Sequence, residues 1–384
     1  TIISRDVHTP YSGMLPGYVA GHYQFDEVHI DLRPLAQFAG ARLYHDEALR
    51  IDTINKTVIC KGRPAVPYDV LSINIGSTPQ IENISGATEF AVAVKPISLF
   101  VDRWKKFLDR LAAQTGPCKI CVVGAGAAGV ELILSIQFRL KKMFEELGRN
   151  SEELSYHLVS KSEQIMPSFP SAVADRFDTI LHERGVIVHR GVEATEACDG
   201  KLILSNGDHL DADETFFVTA ASATPWLTES GFDVDENGFV KVNDTLELLS
   251  HPNIFAAGDV AAVVNHPRPK AGVFAVRAAP FLYQNIRNYI SSKKLIKYNP
   301  QKFFLQALTI DNKKALLFWG NFFLYGTLPW IFKDFIDRSF VKKFSIKYSM
   351  NSLSEEKTTE QNQDLCGACG AKIGNEVLKN AIQF

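Results

Sequence analysis

The chain has 384 residues, of which 46% are hydrophobic and 22% are charged, a composition typical of a globular protein with more than one core. It excludes a disordered chain, a fibre and a small disulfide-bonded scaffold. The 41 basic residues nearly balance the 43 acidic ones, so the net charge of -2 gives no electrostatic reason to expect nucleic acid as a partner. Six scattered cysteines indicate a reducing compartment, and we expect a cytoplasmic protein.

Short apolar runs alternate with longer amphipathic ones as far as residue 256, which predicts strands alternating with helices in parallel α/β layers. The predicted strands are 1–4, 41–44, 50–52, 57–60, 70–75, 119–123, 156–159, 186–189, 214–219 and 254–256. The predicted helices are 28–38, 98–114, 130–146 and 172–184, and residues 6–23 are predicted as a loop. Beyond residue 299, aromatic segments predict strands at 302–308, 315–320 and 322–325, then a helix at 329–344.

The most informative motif is a G-x-G-x-x-G sequence formed by Gly124, Gly126 and Gly129, between an apolar strand and an apolar-periodic helix. In that context the first glycine permits a tight turn, and the second lets the backbone approach a pyrophosphate. The third lets helix and strand pack closely. The N-terminus of the helix then faces the phosphates. We therefore predict a dinucleotide site at this turn.

The choice of dinucleotide depends on Ser160 and Lys161, which follow the next predicted strand. An NAD-specific fold usually has an acid at this position, whereas a hydroxyl followed by a cation suits the 2′-phosphate of NADPH. A lysine that is merely solvated is an equal alternative. The sequence therefore leaves NADH and NADPH open.

A second apolar strand ends in Gly258 and Asp259, which puts a carboxylate where open α/β sheets bind ligands. Together with the segments 71–79 and 214–221, this pattern resembles flavoproteins with two dinucleotide-binding domains. That group holds type II NADH dehydrogenases, sulfide:quinone reductases and pyridine-nucleotide disulfide reductases. The resemblance implies an α/β fold of two Rossmann-like, glutathione-reductase-type domains, one inserted in the other, plus a C-terminal α+β interface segment.

By this resemblance, residues 1–92 and 223–298 form an FAD-binding domain and 93–222 an NAD(P)-binding domain. An interface segment at 299–348 and a linker at 349–363 follow. The implied reaction moves hydride from NADH or NADPH to FAD and then to an acceptor. The implied NAD(P) residues are Gly124, Gly126, Gly129, Glu131, Ser160 and Lys161. The implied FAD residues are Ser4, Arg5, Pro16, Gly76, Ser77, Thr78, Gly258, Asp259 and Lys270.

The same resemblance places a first strand, a glycine loop and a helix of the FAD domain ahead of Thr1, so we expect a truncated chain. Ser4 and Arg5 stand where the group has an acid that binds the adenosine ribose. Lys270 is expected near the pyrimidine ring of the flavin, with a plain surface lysine as the alternative.

The cysteines bear on the electron acceptor. Residues 8–18 contain none, which excludes the redox pair that disulfide reductases carry in this loop. Cys118 and Cys121 point to opposite faces of one strand and are predicted core or strand-end residues. Cys60 and Cys198 are isolated, so a three-cysteine relay has no support. A small-molecule acceptor remains, either a selenium species or a quinone.

Residues 315–332 include no charge over 18 positions, the threshold length of a membrane span. Glycine and proline interrupt the run, which argues against a span. In 329–344, Phe332, Ile336, Phe340 and Phe344 recur at i+4 spacing. This pattern suits a helix lying on a membrane surface. It also suits a helix docked on the flavin domain or on a partner subunit, a second copy of the chain included, and we favour docking.

Residues 364–384 follow the linker and carry Cys366, Cys369 and Lys372. A lone C-x-x-C lacks the second pair that structural zinc needs, so we predict no metal site. The segment resembles the start of selenophosphate synthetase (selenide, water dikinase). That resemblance implies a fusion in which Cys369 handles selenide and Lys372 meets ATP, with ATP and Mg used only by the full-length protein. The alternatives are a type II NADH:quinone oxidoreductase at a membrane surface and a non-catalytic nucleotide-sensing domain.

Overall fold

A computed structural model describes residues 1–81, 84–219, 221–320 and 322–345. Within them the helices are α1 Leu15–Val19, α2 Phe25–Val28, α3 Leu32–Phe38, α4 Ala87–Phe90, α5 Ile97–Ala113, α6 Ala127–Glu146, α7 Ser171–Glu183, α8 Trp226–Glu229, α9 Gly272–Ile290 and α10 Thr327–Lys342. The strands in the same residues are β1 Ile2–Ser4, β2 His8–Pro10, β3 His29–Asp31, β4 Leu43–His45, β5 Ala48–Asp52, β6 Thr57–Cys60, β7 Val66–Pro67, β8 Leu71–Ile73, β9 Thr78–Pro79, β10 Val92–Ala93, β11 Cys118–Val123, β12 Leu154–Val159, β13 Ile187–His189, β14 Ala194–Cys198, β15 Lys201–Leu204, β16 His209–Asp211, β17 Glu214–Phe217, β18 Ala221–Ser222, β19 Val240–Val242, β20 Ile254–Ala256, β21 Ala261–Val263, β22 Gln306–Asp311, β23 Lys314–Trp319 and β24 Phe322–Gly326.

A five-stranded parallel sheet organises the middle of the chain, with strand order β10-β17-β11-β12-β13. Its central strand β11 is apolar and buried along nearly its whole length, as a parallel strand covered on both faces must be. Helix α5 covers the sheet with Phe100, Trp104, Phe107 and Leu111, all buried and spaced at helical intervals. The expectation of parallel α/β layers is confirmed.

Strands that come before and after this sheet in the sequence pair with each other. β8 pairs in parallel with β20, and β9 pairs antiparallel with β18. A separate core lies here, where Ile73, Val240 and Ile254 are buried. The chain thus leaves this region after β9, builds the five-stranded sheet, and returns at β18.

The C-terminal described segment is an antiparallel sheet of β22, β23 and β24 followed by α10. The predicted hairpin is present, although β22 begins at Gln306, four residues later than expected. Helix α10 begins at Thr327, which places Pro329 in its first turn, where its missing N–H costs no helical hydrogen bond. No helix of the described residues is long and apolar enough to cross a membrane.

Two predicted elements differ in kind from the structure, and one long helix was not predicted. The predicted loop 6–23 contains β2 and α1. The predicted helix 28–38 is instead β3 followed by α3, because Asp31 is extended and its side chain accepts a hydrogen bond from the Arg33 amide, which starts the helix there. Helix α9 was not predicted, although it is 19 residues long.

Candidate functional site

The glycine loop between β11 and α6 has the geometry that its sequence predicts. Gly124 takes φ +112°, a conformation that favours glycine, and a Cβ there would lie 2.3 Å from the carbonyl oxygen of Val218. A Cβ at Gly129 would lie 1.8 Å from the carbonyl oxygen of Gly124, so this helix–turn contact also needs glycine. Gly126 is the N-cap residue of α6, and a Cβ there would meet no atom within 4 Å. The second glycine thus borders open space at a helix N-terminus, where a phosphate is favoured.

Ser160 and Lys161 lie beside this loop, because the parallel strands β11 and β12 end at the same edge of the sheet. The Ser160 hydroxyl is buried and donates to the carbonyl oxygen of Ser162 at 2.7 Å. The Lys161 side chain is 81% exposed and forms an ion pair with Glu193. The Lys161 ammonium therefore lies at this edge of the sheet, and Glu193 would compete with a bound phosphate for that ammonium.

A cavity of about 350 Å³ lies at the ends of β8 and β20. It is lined by Ser12, Asn74, Gly76, Ala257, Gly258, Asp259, Gly272, Ala275, Ala279 and Leu282. Gly76 and Gly258 both take positive φ, at +76° and +77°. A Cβ at Gly258 would touch the Cβ of Ala275 at 3.4 Å. Small residues therefore keep the backbone accessible from the cavity.

Asp259 supplies the carboxylate of this cavity. Its Oδ2 accepts a hydrogen bond from the Ser77 hydroxyl at 3.1 Å and one from Lys95 Nζ at 3.0 Å. Cavity size, glycine-rich walls and one anchored acceptor are features of a cofactor site. They fit the ribityl chain of a flavin, whose hydroxyl groups are donors that a carboxylate accepts.

The other expected FAD residues lie apart from the cavity wall. Lys270 donates to the carbonyl oxygen of Ala261 at 2.9 Å and sits 3.7 Å above the Phe239 ring, and burial lowers its pKa. Thr78 bonds the Ser222 carbonyl oxygen at 3.3 Å, within the β9–β18 pair. A further three are placed at the β1 end and in α1: Ser4, Arg5 and Pro16.

Glu131, expected near NAD(P), is turned into the protein. Its carboxylate accepts a hydrogen bond from the Thr309 amide at 2.6 Å, and burial raises its pKa to about 7. Lys333 and Asp337 of α10 lie within electrostatic range of it. The helix that starts at the glycine loop is thus connected through its first turns to the C-terminal sheet and helix.

Lys333 and Asp337 form an ion pair of 2.6 Å whose side chains are each only 8% exposed. Lys333 Nζ also donates to the carbonyl oxygen of Gly13, and Asp337 accepts from the Tyr11 hydroxyl at 3.2 Å. Burial raises the pKa of Asp337, while the Lys333 ammonium opposes that rise. These bonds fix the loop beside Ser12, which lines the cavity, to the inner face of α10.

The opposite face of α10 is apolar and open. Together with β23 and β24 it forms a surface that we call the apolar patch: Trp319, Phe322, Leu324, Leu328, Ile331, Phe332, Phe335 and Ile336. Each of these side chains is more than two-fifths exposed. Of the predicted stripe, Phe332 and Ile336 belong to the patch, whereas Phe340 packs on Tyr11 with ring centroids 4.7 Å apart.

Some residues at the Asp259 cavity were not predicted from the sequence. Gly272, Ala275 and Ala279 recur at helical spacing, and this face of small residues was the signal that α9 approaches a ligand site. Ser12 and Lys95 carried no motif, and Asn74 was not singled out within the segment 71–79. The predicted core positions of Cys118 and Cys121 are confirmed, and burial raises the pKa of each thiol to about 12.

Residues 1–279 match the family model described as pyridine nucleotide-disulphide oxidoreductase. The chain belongs to this family. Among curated proteins it is 23% identical over 357 residues to a probable NADH dehydrogenase of Dictyostelium discoideum, covering 86% of this chain and 78% of that one. It is 25% identical over 294 residues to a type II NADH:quinone oxidoreductase of Haemophilus influenzae, covering 68% and 63%. The chain thus spans less than two thirds of that second relative.

Solved structures share the fold. NDH2 from Plasmodium falciparum in complex with NADH has a TM-score of 0.76 at 16% identity, covering 88% of this chain and 92% of that one. The sulfide:quinone oxidoreductase of Aquifex aeolicus has a TM-score of 0.74 at 20% identity, covering 89% and 84%. The expected fold of an FAD/NAD(P)-binding oxidoreductase is confirmed.

Proposed function

We propose that this chain is an FAD-dependent NAD(P)H oxidoreductase in which the glycine loop holds the nicotinamide dinucleotide and the Asp259 cavity holds the flavin. The observation that carries the proposal is that both turns end parallel strands and both leave backbone accessible, at Gly126 and at Gly258. A bound flavin would accept hydride and pass electrons to an acceptor. The α6 N-terminus and the Gly126 backbone bind the pyrophosphate, and Gly76 and Asp259 orient the flavin.

Gly126→Asp tests the nucleotide half of the proposal. Because φ is −73° and a Cβ meets no atom within 4 Å, aspartate fits the free protein without strain. Its carboxylate repels a pyrophosphate, so nicotinamide-nucleotide binding should be lost while the fold remains. Ala172→Asp, which puts the same charge in the exposed first turn of α7, is the matched control. Equal binding by Gly126→Asp and the control would contradict the proposed site.

Substitution of Lys161 tests whether the coenzyme is NADH or NADPH. If NADPH is the natural coenzyme, Lys161→Ala removes a cation next to the 2′-phosphate and raises the KM for NADPH, with no change for NADH. Breaking the competing ion pair by Glu193→Gln then lowers the KM for NADPH. If the lysine is only solvated, neither change separates the two coenzymes, and NADH becomes the better assignment.

For the acceptor, the apolar patch supports a quinone reached from a membrane surface. Eight large apolar side chains of β23, β24 and α10 are exposed, and an exposed apolar helix face of this kind suits contact with a membrane surface. The Haemophilus influenzae relative named as a type II NADH:quinone oxidoreductase favours the same acceptor. The test is NAD(P)H-driven quinone reduction on liposomes, compared with a water-soluble quinone. Equal rates for both, with no liposome binding, would remove the membrane from the proposal.

A selenium species is the second candidate acceptor, and its support is the Cys366, Cys369 and Lys372 segment, which lies outside the described residues. In this version the oxidoreductase supplies reduced selenium to a selenophosphate synthetase that uses ATP and Mg. NAD(P)H-dependent reduction of selenite by the full-length protein, lost in Gly126→Asp, is the expected result. Selenite turnover that is unchanged by Gly126→Asp would exclude this acceptor.

A further inference from the structure

Lys95 lies between β10, an edge strand of the five-stranded sheet, and α5, the helix that covers the sheet. No sequence motif marks it. Its ammonium donates to the Ser77 hydroxyl at 2.8 Å and to Asp259 Oδ2 at 3.0 Å. Ser77 itself donates to the same Oδ2 at 3.1 Å. Lys95 and Ser77, from two separate parts of the sequence, therefore both donate to one carboxylate oxygen of Asp259.

The two oxygens of Asp259 are used differently. Oδ2 receives both donors, whereas Oδ1 has no hydrogen-bond partner within the described residues. An ammonium and a hydroxyl on one oxygen fix the rotation of the carboxylate and leave the other oxygen for a ligand. The Asp259 side chain is 19% exposed, and the residue lines the cavity, so a hydroxyl donor in the cavity can reach that oxygen.

We propose that Lys95 is a positioning residue that holds Asp259, through Oδ2, in the orientation that accepts a ribityl hydroxyl of the flavin. This inference rests on the proposed flavin site. It assigns the role to Lys95, because a charged donor orients a carboxylate more strongly than a neutral one. Lys270, the lysine expected from sequence at this cofactor, instead bonds the Ala261 carbonyl oxygen. The cation that holds Asp259 thus comes from the connection between β10 and α5.

The test is FAD affinity, measured by quenching of flavin fluorescence in the full chain. Lys95→Met should weaken FAD binding by about tenfold to a hundredfold, since a hydrogen bond to a charged group is lost and Asp259 is released. Lys95→Arg should restore most of the affinity. The matched control is Lys119→Met, which removes an exposed lysine of β11 that pairs with Asp211 at 2.8 Å. This control should leave the FAD affinity unchanged.

A double-mutant cycle separates positioning from general loss of structure. If Lys95 acts through Asp259, adding Lys95→Met to Asp259→Asn causes no further loss of affinity. Additive losses, or a Lys95→Met affinity within twofold of the natural chain, would overturn the inference. If Lys95→Met does not fold, Lys95→Gln takes its place in the same cycle with the same criterion.

Failure of the inference and failure of the proposed function give different results. If the natural chain binds no FAD, the flavin site is wrong and the role of Lys95 fails with it. If the natural chain and Lys95→Met bind FAD equally, the flavin site stands and only the positioning role is wrong.

Discussion

Helices α5 and α10 have nearly the same length, 17 and 16 residues, and both alternate apolar and charged residues at helical spacing. The two helices bury opposite kinds of side chain. α5 buries its aromatic side chains, such as Phe107, against the parallel sheet and turns its charges outward. α10 buries an ion pair, Lys333 and Asp337, and exposes aromatic side chains, such as Phe335.

Helical periodicity therefore identifies the two faces of a helix but does not show which one is buried. For α5 the ordinary rule holds, because a five-stranded sheet offers a large apolar surface. For α10 the inner surface offers the Gly13 carbonyl oxygen and the Tyr11 hydroxyl, which satisfy a buried lysine and aspartate. The inner face of α10 is thus docked on residues near Tyr11 and Gly13, whereas its apolar face stays uncovered within the described residues, and a membrane surface or a partner subunit remains a prediction for that face.

The largest expected change in the free energy of unfolding comes from breaking the ion pair between Lys333 and Asp337. Lys333→Ala should lower the free energy of unfolding by about 3–5 kcal/mol, because it leaves the Asp337 carboxylate buried without its partner. Lys106→Ala, on the exposed face of α5, should change it by less than about 0.5 kcal/mol. Chemical denaturation of both variants measures the contrast. Similar small losses at both positions would show that α10 does not bury its charges.

Glu131 gives the next effect, a dependence of stability on pH. Its pKa is raised from 4.5 to about 7, so between these values the folded state binds more protons than the unfolded state. The free energy of unfolding should therefore fall as pH rises from 4.5 to 7, by about 3 kcal/mol in total. Glu131→Gln should remove this contribution, so the variant gains stability relative to the natural chain as pH rises. A difference between the two chains that stays constant from pH 5 to 8 would contradict the burial of this carboxylate.

The smallest effect on stability is expected at the apolar patch. Phe335 is 68% exposed, so Phe335→Ala should change the free energy of unfolding by less than about 0.5 kcal/mol. Phe107→Ala in α5 should cost about 3–5 kcal/mol, since its ring is buried. Phe335→Ala should nevertheless weaken binding to liposomes in a sedimentation assay. Unchanged liposome binding would leave the patch without a membrane role.

The sequence predicted the parts of the site that local geometry determines. Gly124 is required by its positive φ and Gly129 by its approach to the Gly124 carbonyl oxygen, both within one turn, and Gly258 and Asp259 follow a strand end, so short motifs identify them. The cavity side of α9 and the contact of Lys95 with Asp259 join residues far apart in sequence, and no local pattern encodes them.

Two residues that were expected at a cofactor from the sequence instead contact other parts of the chain. Glu131 belongs to the glycine motif, but the C-terminal sheet lies against α6 and the Thr309 amide takes its carboxylate. Lys270 lies in a proline-rich loop whose path leads it to Phe239 and the Ala261 carbonyl oxygen. In both cases a tertiary contact decides where the side chain points. Their proposed roles at the two cofactors remain predictions.

An anaerobic titration of the FAD-loaded chain with NADH and with NADPH, followed by the visible absorbance of the flavin, tests directly whether this chain transfers hydride. One equivalent of the natural coenzyme should bleach the flavin band, and Gly126→Asp should abolish the bleaching while FAD stays bound. A chain that binds both FAD and the nicotinamide nucleotide but shows no bleaching would contradict an oxidoreductase and favour a nucleotide-sensing domain.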